Sequence, residues 1–238
     1  VTGLILCLAC CGITAISNDC PPWNSNCPTA EFGPCCCDRN FHWAGYQDNI
    51  ICEDTGKLAK IPPFRQSNTT FTELKIKGES YVDRIQDDAF HGLILEKLRL
   101  QNLEIRKLGD FAFSGQESSL NTLYLDNNLL VTLPDEFLYG FSKLRHLSLH
   151  NNQLMQLGEG TFRTLNALTS LELFNNHLQY VDPLCFQDLV SLDYLSISNN
   201  NVSELHGHTL SKQNELTRLE IEGNKLKSLP ADLFHSTT

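Results

Sequence analysis

The sequence predicts a solenoid, a stack of short coils in which each coil adds one strand to a parallel sheet. The first observation is a segment that recurs with one pattern of leucines and one asparagine, seen first in full as LNTLYLDNNLLVTLPDEFLYGF over residues 120–141. The second is its spacing of 24 residues, since the copies begin at residues 120, 144, 168, 192 and 216. Chance does not produce five matched copies at one period, so we expect each copy to form one coil.

Each position of the pattern has a physical role. In the first full copy Leu123 and Leu125 alternate with Tyr124, so both leucines face one side of a short strand. Leu120 and Leu130 turn inward from the flanking bends, and neighbouring coils must stack to bury them. A spine of phenylalanines is predicted on the far side of the coils, with Leu210 in the sixth: Phe90, Phe113, Phe137, Phe162, Phe186 and Phe234.

The fixed asparagine lies where the chain leaves each strand. Its amide can bond to backbone groups that the turn would otherwise bury unpaired. This pattern is the leucine-rich repeat signature. The predicted fold is a leucine-rich repeat solenoid, an α/β-type horseshoe with a parallel concave sheet and a mostly irregular or 3-10 convex side. Stacking turns the asparagines into a ladder: Asn128, Asn152, Asn176, Asn200 and Asn224.

Residues 1–17, VTGLILCLACCGITAIS, carry no charge and are apolar almost throughout. Small residues at Ala15 and Ser17 precede a cleavage site before Asn18, which is typical of a secretory signal peptide. A short membrane anchor is the alternative, although a span needs about 20 apolar residues. We expect a secreted, extracellular protein in which a few residues precede Val1.

Residues 18–64 are the predicted cysteine-rich N-terminal cap. Six cysteines lie between residues 18 and 52, and in a secreted chain this density favours a disulfide-stapled module over a zinc site. The spacing alone does not choose among the possible pairings. A cap is needed because the first coil of a solenoid exposes one end of the core.

Residues 65–238 hold about seven repeats, of which the first two are irregular. Glu79 and Leu103 replace the ladder asparagine there. Cys185 precedes a spine residue and is expected to be a buried, inert thiol. The last repeat stops short without a cap, so we expect a fragment, and any membrane attachment would lie beyond Thr238. Asn68 and Asn201 begin N-glycosylation sequons.

The outward positions of the strands are where a partner could bind. These positions are basic towards the N-terminus, aromatic and histidine-bearing in the middle, and acidic towards the C-terminus. Aromatic rings on a rigid sheet favour protein binding, because they bury a large area at low entropic cost. Ordinary solvated surface is the alternative. The candidate partner-binding residues are Tyr124, Asp126, His150, Phe174 and Tyr194.

No catalytic motif, cofactor motif or metal site is predicted. The histidines at His146 and His150 lie about 13 Å apart along an extended strand, too far to share one ion. The formal net charge of −10 argues against nucleic acid or an anionic membrane as the main partner. The sequence therefore predicts a non-enzymatic protein whose partner is another protein.

The repeats and the spacing of Cys27, Cys35, Cys37 and Cys52 resemble the extracellular leucine-rich repeat superfamily over residues 20–238. The resemblance implies the disulfides Cys27–Cys37 and Cys35–Cys52, which leaves Cys20 to pair with Cys36. The stretch CPTAEFGPCCCDRNFHWAGYQDNIICED is similar to arthropod proteins known as the non-catalytic subunit of Oplophorus-luciferin 2-monooxygenase. That similarity implies a carrier or stabilising partner without luciferase chemistry.

Three functions remain open on this basis. The first is a secreted protein-binding module that uses its concave face. The second is the ectodomain of a membrane receptor or adhesion protein at the cell surface. The third is a non-catalytic partner subunit of a secreted enzyme.

Overall fold

The computed structural model describes the backbone strands 35–42 and 45–52, and residues 70–76 and 82–234 with their side chains. The predicted signal peptide, Asn68 and much of the predicted cap lie outside these residues. The described strands are β1 (Cys35–His42), β2 (Gly45–Cys52), β3 (Thr70–Ile76), β4 (Arg84–Ile85), β5 (Ile94–Leu100), β6 (Lys107–Leu108), β7 (Thr122–Tyr124), β8 (His146–Ser148), β9 (Gln156–Leu157), β10 (Ser170–Glu172), β11 (Tyr180–Val181), β12 (Tyr194–Ser196) and β13 (Arg218–Glu220).

Within the described part of the chain, nine strands form one sheet in the order β1-β2-β3-β5-β7-β8-β10-β12-β13. β1 and β2 are antiparallel, and from β2 onward each neighbour is parallel. Turns and two short parallel pairs, β4 with β6 and β9 with β11, complete the coils. The predicted parallel-sheet solenoid with an irregular convex side is confirmed. No helix in the described residues is long and apolar enough to span a membrane.

The strands align residue for residue through one column of leucines. Leu123 lies beside Leu98 on one side and Leu147 on the other, and the column continues through Leu171 and Leu195. All five side chains are fully buried. A slip of one residue would turn this column towards solvent, so the spacing of the leucines fixes the register.

The asparagine ladder also forms as predicted. Asn152 accepts a bond from the backbone N–H of Leu130 at 3.0 Å through Oδ1. Its Nδ2 donates to the carbonyl oxygens of Leu125 and Leu149, each at 3.0 Å. Each asparagine thus ties its own coil to the preceding one, and the same arrangement recurs at Asn128, Asn176, Asn200 and Asn224.

The phenylalanine spine forms with two departures. Phe90 stacks on Phe113 with ring centroids 5.8 Å apart, whereas Phe113 meets Phe137 edge-on at 6.5 Å. In that third coil the phenylalanine lies one place earlier in the repeat, which changes the approach of the rings. The prediction for Phe234 is wrong: its side chain is 57% exposed, and Leu233 is buried instead. Leu233 occupies the spine position in this coil, because its N–H bonds to the carbonyl of Pro230 as the N–H of Phe137 bonds to that of Pro134.

The sheet extends into the predicted cap module. β1 and β2 form a hairpin, and β2 pairs with β3 of the first repeat. The hairpin register sets Cys35 opposite Cys52. The disulfides Cys35–Cys52, Cys27–Cys37 and Cys20–Cys36 remain predictions, because the side chains in this part of the chain lie outside the described residues.

Candidate functional site

Five half-buried rings form a row on the concave sheet, which we call the concave strip. In each strand the middle leucine points into the core, so its two neighbours face the concave side. Tyr124, His146 and Tyr194 lie on strands β7, β8 and β12. His150 lies two residues after the end of β8, and Phe174 lies two residues after the end of β10. The concave strip consists of Tyr124, His146, His150, Phe174 and Tyr194.

At one end of the concave strip, Tyr124 lies between a cation and an imidazole. The guanidinium carbon of Arg99 is 4.1 Å from the centroid of the Tyr124 ring, and the His146 ring lies 5.1 Å away on the next coil. The guanidinium of Arg99 also donates a hydrogen bond to the carboxylate of Glu73. Because the contact of a cation with an aromatic face is attractive, the Tyr124 ring is held in place from both sides.

In the middle of the strip, His150 stacks on Phe174 with ring centroids 4.3 Å apart. Its Nδ1 lies 2.7 Å from the hydroxyl of Ser148 and 3.3 Å from Oε2 of Glu172. On the other side of the ring, Nε2 is 3.6 Å from Oδ2 of Asp126. His150 is therefore fixed between two carboxylates contributed by the coils before and after its own.

The group of Ser148, His150 and Glu172 contains the residue types of a nucleophilic triad but lacks its arrangement. Ser148 is fully buried and donates its hydroxyl proton to Glu172 at 2.9 Å, so it accepts a bond from His150 Nδ1. A catalytic serine must instead be reachable by substrate and give its proton to the imidazole. These contacts orient His150. In the described residues no group of three or more His, Cys, Asp or Glu side chains is placed so that it could hold a metal ion.

The carboxylate of Asp126 is buried beneath the strip rather than offered to solvent. Only 1% of this residue is exposed, although it occupies an outward repeat position. Gln101 donates to its two oxygens at 2.8 Å, and Asn127 donates at 2.7 Å. Asp126 is one of the predicted partner-binding residues. In the structure the side chains of His150 and Gln101 contact this carboxylate.

At the other end of the strip, Tyr194 is held by a charged pair. Its hydroxyl donates to Oε2 of Glu220 at 2.8 Å, and the guanidinium of Arg218 lies 5.1 Å from its ring centroid. Arg218 and Glu220 also form an ion pair with each other. Burial, followed by the bond to Glu220, raises the pKa of Tyr194, so its hydroxyl stays protonated and continues to donate.

Two ionisable groups of the strip have shifted pKa values. Burial lowers the pKa of His146 below 6.5, and it outweighs the nearby charges of Glu172 and Asp126, which act to raise it. The pKa of Glu172 falls below 4.5, first because His150 donates to its carboxylate and then because Ser148 does. Both shifts make the folded chain more stable at neutral pH than at acidic pH. The His146 contribution is lost as the pH falls below about 6.5, and the Glu172 contribution below about 4.5.

A second asparagine ladder, which was not predicted from the sequence, lies outside the first. Asn151 donates through Nδ2 to Oδ1 of Asn127 at 2.9 Å, and Asn175 donates to Asn151 at 2.8 Å. The sequence feature that indicates this second ladder is the pair of adjacent asparagines that recurs in the repeats. Its first asparagine has a positive φ, which asparagine and glycine tolerate best. This position is occupied by Asn102, Asn127, Asn151, Asn175, Asn199 and Gly223, all with φ between +53° and +69°.

Other predicted residues lie away from the concave strip. Asn201 is half-buried at the turn after its strand, followed by the exposed Ser203 of the sequon. Its glycosylation remains a prediction. Cys185 is a buried free thiol, and burial raises its pKa well above the ordinary value, so it stays protonated and inert.

The sequence matches the family described as Leucine rich repeat over residues 94–154, 118–178 and 175–226, together more than half of the chain. The chain belongs to the leucine-rich repeat family. It is similar to leucine-rich repeat-containing protein 3B of Danio rerio, with 30% identity over 127 residues. That match covers 53% of this chain and 45% of the relative, so the chain spans about half the length of this curated relative.

Two solved structures share the fold. The TLR13–ssRNA13 complex superposes with a TM-score of 0.60 at 31% identity, covering 66% of this chain and 22% of that chain. The Drosophila Toll–Spatzle complex has a TM-score of 0.53 at 18% identity, covering 68% and 26%. Because one of these structures is a complex with a single-stranded RNA, the exclusion of nucleic acid as a partner remains a prediction.

Proposed function

We propose that this leucine-rich repeat chain is a non-enzymatic binding module that recognises a protein partner on its concave face. The observation that carries this proposal is the concave strip. Its rings lie on successive coils, and each contacts a neighbouring ring, a cation or a carboxylate. Such rings lose little conformational freedom when a partner covers them, so more of the contact energy becomes affinity.

The charges beside the strip support a polar, oriented partner. Lys75, Lys97 and Arg99 lie towards its N-terminal end, and Glu220 and Glu222 lie towards its C-terminal end. A partner with the opposite gradient would be steered into one orientation on approach. A single-stranded nucleic acid would instead meet acidic groups along the middle and the C-terminal end of the sheet, which opposes a polyanion.

We place the chain in the extracellular space or at the cell surface. The predicted signal peptide and sequons support secretion, and the likeness to Toll-type structures favours the ectodomain of a receptor as the second candidate. The third candidate, a non-catalytic subunit of a secreted enzyme, rests on the similarity around Cys27–Cys52. It predicts that the purified natural complex carries an enzymatic activity that the chain lacks alone.

The test is affinity capture from extracellular fluid, followed by purification of the captured protein and measurement of its Kd. We compare the wild type with the Tyr124→Ala and Phe174→Ala double variant, which removes two rings of the concave strip. Since truncation of central aromatic residues often costs about 2 kcal/mol or more, the Kd should rise at least about tenfold. Unfolding midpoints of both proteins establish that the variant remains folded.

The matched control is the double variant Met155→Ala and Tyr180→Ala. Both side chains are exposed apolar residues outside the concave sheet. The control should bind as the wild type does. Equal binding by the concave double variant would refute the proposed face. Capture that disappears after ribonuclease treatment would refute a protein as the main partner.

A further inference from the structure

A groove on the outer surface of the second and third coils contains two exposed aromatic rings. Its volume is about 400 Å³. Phe111 is 68% exposed and Tyr139 is 57% exposed. The groove lies away from the concave strip and shares no residue with it. The sequence pattern did not predict this groove.

These two rings are exceptions among the coils. The same backbone bond recurs in three repeats, where the N–H of Ser114, Tyr139 or Gln187 bonds to the carbonyl of Phe111, Glu136 or Leu184, respectively. The three donor residues therefore occupy equivalent positions, and so do the three acceptor residues. Where coil three has Tyr139, the neighbouring coils have a serine and an arginine. The core here is filled by other side chains, namely Ala112, Phe113, Phe137 and Leu138. The folded core therefore does not require Phe111 or Tyr139.

Carboxylates surround the two rings. Asp110, Glu117, Asp135 and Glu136 line the groove, and no lysine or arginine lines it. Arg163 pairs with Glu136 at 2.9 Å, and Glu117 accepts a bond from the N–H of Gly115. Asp110 and Asp135 are exposed and have no hydrogen-bond or ion-pair partner among the described residues.

We propose that this groove docks an arginine-bearing segment of a partner protein. A guanidinium stacks on an aromatic face and pairs with a carboxylate at the same time, which matches two rings flanked by unpaired aspartates. Apolar residues beside the arginine would cover the remaining ring surface. Lysine would bind less well, because its ammonium is more strongly hydrated and cannot stack.

The test uses a fluorescein-labelled hexapeptide with two arginines around a leucine, titrated by fluorescence anisotropy and by amide chemical shifts. We expect saturable binding, with shifts confined to residues 110–117 and 135–141. The Phe111→Ala and Tyr139→Ala double variant should weaken it at least about fivefold. The Asp110→Asn and Asp135→Asn double variant should weaken it and remove most of its salt dependence, since exposed charges are screened by salt.

Two controls make the outcome decisive. The Leu184→Ala and Gln187→Ala variant changes the equivalent positions of the fifth coil and should bind as the wild type does. A peptide with glutamate in place of arginine should not bind, and one with lysine should bind less tightly. The proposal would be overturned if the arginine peptide did not bind, if it shifted amides on the concave sheet, or if both groove variants bound it as tightly as the wild type. Self-association through this groove in sedimentation would also overturn it, by assigning the surface to a second copy. The groove variants leave every residue of the concave strip unchanged, so failure of this proposal can be distinguished from failure of the proposed function.

Discussion

Asn152→Ala should destabilise the chain by an amount that follows from its hydrogen bonds. The substitution leaves the buried N–H of Leu130 without its acceptor, which costs about 1–3 kcal/mol. The carbonyl oxygens of Leu125 and Leu149 each lose one donor but keep another, from Asn128 and Asn176. These weaker losses add about 1 kcal/mol. The expected loss is therefore about 2–4 kcal/mol.

The matched control is Asn151→Gly, on the neighbouring residue. Asn151 belongs to the outer ladder, where its side-chain bonds are partly solvated. Its backbone has a φ of +53°, and glycine already occupies the equivalent place at Gly223. Because glycine accepts this conformation without strain, the control should change the stability by less than about 1 kcal/mol.

Thermal unfolding and amide hydrogen exchange measure both effects. A loss of 2–4 kcal/mol should lower the Tm of a chain of this size by about 5–15 °C. The amide of Leu130 should exchange faster in Asn152→Ala and keep its protection in Asn151→Gly. If both variants unfolded at the same temperature, or if the Leu130 amide stayed equally protected in both, the inner ladder would not hold the coils as we argue.

Two further predictions concern packing and protonation. Gly109→Ala should cost about 1–3 kcal/mol in urea unfolding, because the added carbon would collide with the Asp87 carboxylate and lie 2.9 Å from its backbone nitrogen. Gly160→Ala, where nothing lies within 4 Å, should cost nothing, and equal losses would contradict the packing argument. In NMR titrations the pKa of His146 should lie below 6.5 and fall further in Glu172→Gln, since that carboxylate raises it. A rise of the His146 pKa in the variant would contradict the assigned role of Glu172.

The repeating part of the fold could be predicted because each of its rules acts within one repeat or between adjacent repeats. Leu123 needs only its place in the strand to enter the core, and Asn128 needs only the turn that follows. Because the leucine and the asparagine recur at fixed spacing, assigning their roles in one repeat assigns them in the other regular repeats. The prediction for Phe234 was wrong because the spine position lies one place earlier in the repeats that carry Leu-Pro, where Phe137 and Leu233 occupy it.

The surface could be predicted less well because exposure depends on the neighbouring side chains. Asp126 and His150 occupy the same repeat position on adjacent coils, yet the aspartate is buried and the imidazole is half-exposed. The sequence pattern treats them as equivalent. The ring of His150 reaches over Asp126, and Gln101 reaches it from the other side, so the short carboxylate is enclosed. The spacing of residues within one repeat does not predict which outward side chain its neighbours will bury.

Side-chain length therefore divides the outward positions of the concave sheet into two roles. Parallel strands about 4.8 Å apart bring outward side chains into contact, and long ones cover short ones. Ser148 and Ser196 are fully buried at outward positions, whereas Tyr124 and Tyr194 remain half-exposed. Ser148 orients the ring of His150, and the rings form the more exposed part of this surface. A substitution at Ser148 should therefore act on binding through the orientation of His150, although Ser148 itself touches no partner.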